Sequence, residues 1–579
     1  MTIAAGDVDG VPAFWWQGPD GAGQDGKYTA GLMFRVGMAD ETLATRGITH
    51  LLEHLVLYPL MVDAAKHFNG HTEPLTTTFL TRGDADEVGE FFKAVCAGLR
   101  ELPVSRIEKE KQVLRVESDG RKPSTAQLLL RHRYGAEGFG LASFTELGLG
   151  NIGAGDLAAW AARGFTRGNA ALWLAGGEPP AGLRLDLPDG DRVPVPDMPD
   201  TIRAAPAYFN ANASGPGFCG LMERSNAAQV YTSIVAGRLT AELRHKQALT
   251  YSPFAEYSVR DSRHAHVFAG AEGTAESIAV LTAEFLRLLS RLRDRPVDDG
   301  EFRAVTERMS KGWESTSAAA VLGRVQRAAQ NALLGRPNKT PGEWQRDLAG
   351  LSPEDVRRVA REAVASGVFV LPRRQKSFIG DIPHVPWASA IPVTGRDVPS
   401  ADAPFVATRL ILGGEGVSIR HGEQALTVRF AECAALLAAP DGARELIGRD
   451  GLSVAIEPTL WRLPPDAISR IEEAVPGDRH VRTPYREPEK IPRPGTAAWM
   501  RLAGRMVRHP LAATAVTLVF VVGVPFLIGQ FSKTAGFVVG CFLALTLGAS
   551  MAAMRTFRIL LWRAAAKRVD GVGAPPDMG

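Results

Sequence analysis

The hydrophobic pattern divides the first 372 residues into two segments that predict strands and helices in the same order. Residues 76–117 run from an apolar strand through an amphipathic helix and a turn at Pro103 into a second helix. Residues 266–311 repeat this order with a turn at Pro296, which is 193 positions after Pro103. The helix starts predicted at 152–156 and 351–355 are offset by 199, and these two similar offsets indicate a duplicated α+β unit. A chance alignment of common α+β patterns is the alternative.

Stretches rich in proline and glycine predict the domain boundaries. One such stretch, 176–206, separates a half-domain at 1–190 from a second at 205–372. Beyond a second Pro-rich stretch, residues 405–480 alternate apolar and polar positions in short runs and end in an amphipathic helix. This pattern predicts a small antiparallel β-domain, similar to pleckstrin-homology-like domains in its pattern alone.

The C-terminal region contains two apolar stretches of 21 residues, 511–531 and 534–554, with Lys533 as the single charge from one end to the other. A helix of that length spans about 30 Å, the thickness of a bilayer core. Cations flank the outer ends, so we predict a transmembrane hairpin at 511–554 with both termini and all preceding domains on the cytosolic side of the inner membrane. Membrane lipid is then one partner. A buried hairpin of core helices is the alternative.

Composition excludes several classes of protein. The chain is 45% hydrophobic and 22% charged, which is ordinary for a globular protein. A net charge of +3 gives no general attraction to nucleic acid, so no nucleic-acid partner is expected. The 4 cysteines lie far apart without a CxxC pair, which favours a reducing compartment and argues against a thiolate metal site.

Candidate chemistry lies in the run His50-Leu-Leu-Glu53-His54 of a helix predicted over 45–58. Two histidines four positions apart project from one helical face and can share a cation, and Glu53 lies close enough to accept a proton from water. A tetrahedral Zn²⁺ needs a third ligand from the protein and keeps one open position. Glu110 and Glu117, seven apart on one predicted helical face, are candidates. A solvated charged helix face is the alternative for these two.

These residues resemble the HxxEH and Glu-x6-Glu motifs of the pitrilysin/insulinase family, which includes the mitochondrial processing peptidases. The resemblance implies two homologous α/β halves that form a clamshell, and a bound Zn²⁺. It implies that His50, His54 and Glu117 are the metal ligands, that Glu53 is the catalytic base and that Glu110 supports them. The 63 positions from His54 to Glu117 are about a dozen fewer than in the family.

The resemblance extends to residues that would contact substrate. The family's Asn-Ala-x-Thr strand start is represented by Asn69-Gly-His-Thr72, so Asn69 and Thr72 are candidate substrate-binding residues. In the second half, which lacks HxxEH as the family's metal-free half does, Arg244 and Tyr251 match a substrate-contacting pair seven apart.

These observations predict a zinc-dependent endopeptidase that cleaves peptides or unfolded segments at the cytosolic membrane face. Removal of a leader from a ribosomally made peptide is one such role. The alternative is a non-catalytic, membrane-bound binding or scaffold subunit of the same fold. A transport protein is disfavoured because the two apolar stretches carry no charge that could line a pathway. The sequence leaves a homo-oligomer open.

Overall fold

The computed structural model describes residues 2–17, 26–61, 67–119, 123–198, 205–373, 375, 382–385, 388–389, 391–401 and 408–494. Two compact units divide the chain. One unit comprises Met1–Trp387, Ile447–Gly451 and Gly477–Thr483, and the other comprises Ala388–Leu446, Leu452–Pro476 and Pro484–Gly579.

The predicted membrane hairpin at 511–554 lies outside the described residues. Within the described part, every helix is too short or too polar to cross a bilayer.

The first half of the larger unit is a sheet covered by helices. Its described strands and α-helices are β1 Thr2–Val8, β2 Val11–Gln17, β3 Tyr28–Phe34, α1 Ile48–Leu57, β4 His67–Thr72, β5 Thr77–Gly83, α2 Ala85–Arg100, α3 Ile107–Ser118, α4 Thr125–Tyr134, α5 Ala154–Gly164 and β6 Ala170–Ala175. The strand order is β1-β2-β6-β3-β5-β4. Strands β2 and β6 are parallel, and β3 is antiparallel to both of its neighbours. Strand β4 therefore forms one edge of this sheet.

The second half repeats this arrangement. Its described elements are β7 Ala207–Ala211, β8 Gly217–Glu223, α6 Asn226–Arg238, a π-helical segment Leu239–Lys246, β9 Phe254–Val259, β10 His264–Gly270, α7 Ile278–Asp294, α8 Asp299–Glu314, α9 Ala318–Leu333, α10 Pro341–Ala349, α11 Pro353–Ala365 and β11 Val368–Pro372. The strand order β7-β11-β8-β10-β9 is that of the first sheet without β1. The predicted α+β class is confirmed, and the duplication is visible in the two sheet topologies.

Alternation of side chains along the first sheet explains why it is covered on both faces. In β2, Val11 and Ala13 belong to the core that contains α1, α2 and α5. Phe14 and Trp16 point to the opposite face, where α9 of the second half packs. Conversely, Leu129 of α4 in the first half packs against the second sheet. The two halves thus each donate a helix to the other's sheet.

The stretch predicted as a linker, 176–206, is packed against the first half over its described part, 176–198. Leu183, Leu185 and Leu187 are buried in the core of that half. The guanidinium of Arg35 donates to the carbonyl of Val193 at 3.1 Å. Buried contacts therefore hold this segment in place, although its proline content predicts a free linker.

The smaller unit is rich in antiparallel strands. The described strands and α-helix from 395 to 482 are β12 Gly395–Pro399, β13 Arg409–Gly413, β14 Gly416–His421, β15 Gln424–Arg429, β16 Cys433–Ala438, β17 Arg444–Gly448, β18 Ser453–Ile456, α12 Ala467–Ala474 and β19 His480–Arg482. Of these, the last two residues of β17 and all of β19 belong to the larger unit. Strands β12 to β15 form an antiparallel sheet in sequence order. The similarity to pleckstrin-homology-like domains stays a prediction.

Candidate metal centre

Helix α1, which carries both motif histidines, begins at Ile48 and not at 45 as predicted. The reason is Gly47, whose φ of +103° lies in the left-handed region and separates the helix from the preceding turn. The buried carboxylate of Glu41 accepts hydrogen bonds from the Gly47 and Thr49 amides, each at 3.0 Å. A negative charge at this end also complements the helix dipole, so the start of α1 is fixed.

The structure brings His50, His54 and Glu117 together. The two imidazole centroids lie 4.8 Å apart on one face of α1. Helix α3 supplies Glu117, whose Oε2 lies 3.8 Å from Nε2 of each histidine. One candidate ligand atom from each residue lies within 4.8 Å of the other two. Two ligands of a tetrahedral zinc ion are about 3.4 Å apart, so small side-chain rotations would suffice to bind it.

The Nδ1 atom of each histidine faces a carboxylate oxygen. Nδ1 of His50 lies 2.5 Å from Glu146 Oε1, and Nδ1 of His54 lies 3.4 Å from Glu110 Oε2. If each Nδ1 donates to its carboxylate, each Nε2 lone pair faces Glu117, as in carboxylate–histidine–zinc sites. Burial lowers the pKa of His50, but the hydrogen bond and charge of Glu146 outweigh it, so the pKa is raised overall. This chemistry of the donor set fits zinc.

Sequence reasoning missed Glu146, which lies 96 positions from His50. A 3₁₀ turn, Leu147–Gly150, follows it and lies against the segment before α1, where the Gly148 amide donates to the Arg46 carbonyl at 3.0 Å. A Cβ on Gly148 would lie 2.6 Å from the Ala44 carbonyl oxygen, so this close approach requires glycine. The local sequence shows the glycine but gives no signal for the partner of Glu146.

The carboxylate of Glu53 is buried beside the metal-ligand group, with 5% of the residue exposed. Thr72, on the edge strand β4, donates a hydrogen bond to Glu53 Oε2 at 2.6 Å. Gly70 on the same strand leaves the room that Glu53 fills, since a Cβ there would lie 2.4 Å from Oε1. Thr72, predicted to bind substrate, thus orients the candidate base. Asn69 is exposed on β4, and its side-chain oxygen accepts from the Gly70 amide.

Glu110 lies on α3 and is buried, with 4% of its surface exposed. Its carboxylate connects α3 to α1. Its Oε1 accepts from Arg106 at 3.0 Å, while its Oε2 faces His54. The Arg106 guanidinium in turn lies 4.0 Å from the centre of the Tyr58 ring. The arrangement orients His54 through Glu110, as a supporting acid should.

Arg244 and Tyr251 contact each other and, among the described residues, make no hydrogen bond or ion pair with His50, His54 or Glu117. The Arg244 guanidinium lies 4.8 Å from the centre of the Tyr251 ring, and Tyr251 is 79% exposed. Arg244 belongs to the π-helical segment, and Ala248 between the two has a φ of +51°. Such irregular backbone is concentrated at functional sites.

Replacing Glu146 by glutamine should weaken zinc binding by about 10–100-fold, because the variant loses the charge that holds His50 by Nδ1. Glutamine has the same shape, so the unfolding temperature should stay near that of the parent. Competition with a fluorescent zinc chelator measures the affinity. Glu101→Gln, on an exposed residue outside the site, is the matched control. Equal zinc affinity in the parent and Glu146→Gln would contradict a role for this contact.

Three solved structures of known proteins share this fold. A protease from Helicobacter pylori has a TM-score of 0.52 and 16% identity, covering 64% of this chain and 99% of its own. The peptidase M16 inactive domain from Pseudomonas fluorescens has a TM-score of 0.53 and 15% identity, covering 65% and 99%. A chain of complex III2 from Candida albicans, bound to Inz-5, has a TM-score of 0.51 and 13% identity, covering 63% and 94%.

No family model matches the sequence, and no curated protein matches it either. The structural similarities confirm the predicted resemblance at the level of fold, which is that of M16-like, pitrilysin-type peptidases. At these identities the similarity establishes fold alone, and the fold includes both proteases and an inactive domain.

Proposed function

We propose that the protein is a zinc-dependent endopeptidase. The observation that supports this best is the arrangement around α1. Nε2 of His50 and of His54 and the carboxylate of Glu117 face one another, and a carboxylate supports each imidazole from behind. The buried Glu53 lies on the same helix, between the two histidines in sequence, and Thr72 orients it. Two imidazoles, one carboxylate and an open position are the donor set of catalytic zinc.

In the proposed mechanism, His50, His54 and Glu117 hold the zinc ion. When bound, zinc supplies Lewis acidity that polarises a carbonyl and makes water acidic near neutral pH. Glu53 accepts the proton of the attacking water on its carboxylate and passes it to the amine that leaves when the peptide bond breaks. Thr72 keeps one oxygen of Glu53 engaged, which leaves Oε1 to exchange the proton.

The substrate we propose is an extended peptide or an unfolded segment. Among the described residues, strand β4 is the edge strand of the first sheet and lies beside Glu53, and an extended chain can add to such an edge as a further strand through main-chain hydrogen bonds. Asn69 on this strand, and Arg244 and Tyr251 from the second half, would contact that chain. Removal of a leader peptide at the cytosolic membrane face, with the 511–554 hairpin as anchor, remains part of the proposal.

Cleavage of an unstructured peptide by the full-length chain tests this function. After loading with zinc, the protein should contain about one zinc ion per chain, as one catalytic ion requires. It should hydrolyse the peptide, lose activity with 1,10-phenanthroline and regain it when zinc is added. Mass spectrometry of the products shows internal cleavage. Metal-independent hydrolysis, or zinc binding without hydrolysis of any peptide in a diverse pool, would contradict the proposal.

A non-catalytic binding subunit is the second candidate, favoured by the likeness to the inactive M16 domain from Pseudomonas fluorescens. The complete donor set argues against it, because a binding subunit has no need for a buried, oriented glutamate beside two imidazoles. Stoichiometric peptide binding without cleavage by the zinc-loaded protein would support this alternative.

A further inference from the structure

A cavity of about 330 Å³, separate from the candidate metal centre, lies in the larger unit on the face of the first sheet that α9 covers. Phe14 and Trp16 of β2 form part of its wall. Helix α1 packs against the opposite face of the same sheet, so the sheet separates the cavity from the metal centre. Among the described residues, no carboxylate lines it, whereas five cationic side chains do: Arg224, Arg324, Arg327, Arg336 and Lys339.

The four arginines lack carboxylate partners among the described residues, whereas Lys339 is paired with Asp347. Arg224 donates to the side-chain oxygen of Asn331 at 2.5 Å, and Arg336 donates to the Ser262 and Arg224 carbonyls at 2.6 and 2.8 Å. Neutral acceptors therefore position the guanidinium groups without neutralising them. Burial lowers the pKa of Arg224 and of Arg324, since each loses solvation of its charge. Concentrated, uncompensated positive charge of this kind attracts an anion.

Two buried donors in the wall have no hydrogen-bond partner within the described protein. They are Nε of Arg324 and Nε1 of Trp344, on residues that are 8% and 5% exposed. Buried donors of this kind are costly unless an acceptor meets them. The N-termini of α6 and α10 also meet the cavity, through Asn226 and Pro341, and add their positive dipole ends.

We propose that this cavity binds a small phosphate-bearing molecule, with its phosphate among the four arginines and its organic part against Phe14 and Trp16. Guanidinium groups bind phosphate oxygens by paired hydrogen bonds, and a compact, multiply charged group meets four cations better than one carboxylate does. The cavity volume lies at the lower end of the range for small-molecule sites, so the cavity is too small to take up a folded protein. This site does not depend on the proposed peptidase activity.

Titration of the full-length protein with inorganic pyrophosphate tests the site, with calorimetry and tryptophan fluorescence as readouts because three tryptophans line the cavity. We expect saturable binding in the parent and binding about tenfold weaker in Arg327→Gln, which loses one charge-assisted contact. Arg327 is exposed, so the variant should fold normally. Arg303→Gln, an exposed arginine of α8 outside the cavity, is the matched control and should bind as the parent does.

Three outcomes would overturn the proposal: no saturable pyrophosphate binding, equal weakening by the two substitutions, or tight binding of an acidic peptide that pyrophosphate fails to displace. The last would make the cavity a peptide-docking surface. Displacement of pyrophosphate by short-chain phosphatidic acid would support the site and assign the phosphate to a lipid headgroup. Displacement by nucleoside diphosphates alone would support it and assign a soluble ligand.

Discussion

Replacing Glu53 by glutamine is expected to lower peptide hydrolysis by about 10²–10⁴-fold while zinc content stays that of the parent. The amide has the shape of the carboxylate, and its oxygen still accepts the hydrogen bond from Thr72. It cannot accept a proton from water, so only the base is removed. The turnover number on an unstructured peptide and the zinc content per chain, measured on the same preparation, check this expectation.

The control for this experiment is Glu108→Gln on α3. The side chain of Glu108 is 78% exposed and pairs with Lys111, three positions along the same helix. Its replacement should change neither zinc content nor turnover. If Glu53→Gln hydrolyses the peptide as fast as the parent, another group accepts the proton and the assignment of Glu53 is wrong. If it loses zinc as well, Glu53 acts in metal binding and the proposed division of roles fails.

The local part of the metal centre could be predicted because it depends on helix geometry alone. Residues four apart on an α-helix lie one turn apart on the same face, so His50 and His54 had to be neighbours once α1 formed. The start of that helix was predicted three residues too early, because the pattern of apolar residues does not show that Gly47 adopts a positive φ.

The long-range part of the centre could not be derived from spacing. Glu117 was assigned by resemblance, and only the packing of α3 beside α1 places it near the two histidines. The contacts of Glu146 with His50 and of Thr72 with Glu53 join separate elements and have no signature in the sequence. These contacts orient His50 and Glu53. The structure therefore adds information mainly at the residues on which the proposed function depends.

In the two sheets as well, the sequence pattern predicts the repeated unit, whereas tertiary packing determines which helix covers which sheet face. The similar repeat offsets predicted the duplication, and the strand orders of the two sheets, which match apart from β1, agree with it. The sequences of α4 and α9 do not show which sheet each helix covers, so the packing of each helix on the sheet of the other half could not be predicted. The apolar alternation at Leu183, Leu185 and Leu187 was present in the segment predicted as a linker, where proline content outweighed it.

Replacing Glu117 by alanine should remove zinc and hydrolysis together. The loss of zinc affinity should exceed the roughly 10–100-fold cost of losing an outer partner, because the two imidazoles alone leave the ion short of a protein ligand. The side chain of Glu117 is 43% exposed, so its truncation should leave the unfolding temperature of the metal-free protein nearly unchanged. Zinc per chain after dialysis, measured by mass spectrometry, is the primary readout.

The response to excess zinc distinguishes Glu117→Ala from Glu53→Gln. Excess zinc should partly restore hydrolysis in Glu117→Ala, because the base remains in place, but should not restore it in Glu53→Gln. Glu307→Ala, an exposed glutamate of α8, is the control and should retain full activity. Parent levels of zinc in Glu117→Ala would assign the third ligand to a residue other than Glu117. Zinc loss without loss of hydrolysis would separate the metal from the reaction and leave the peptidase proposal without support.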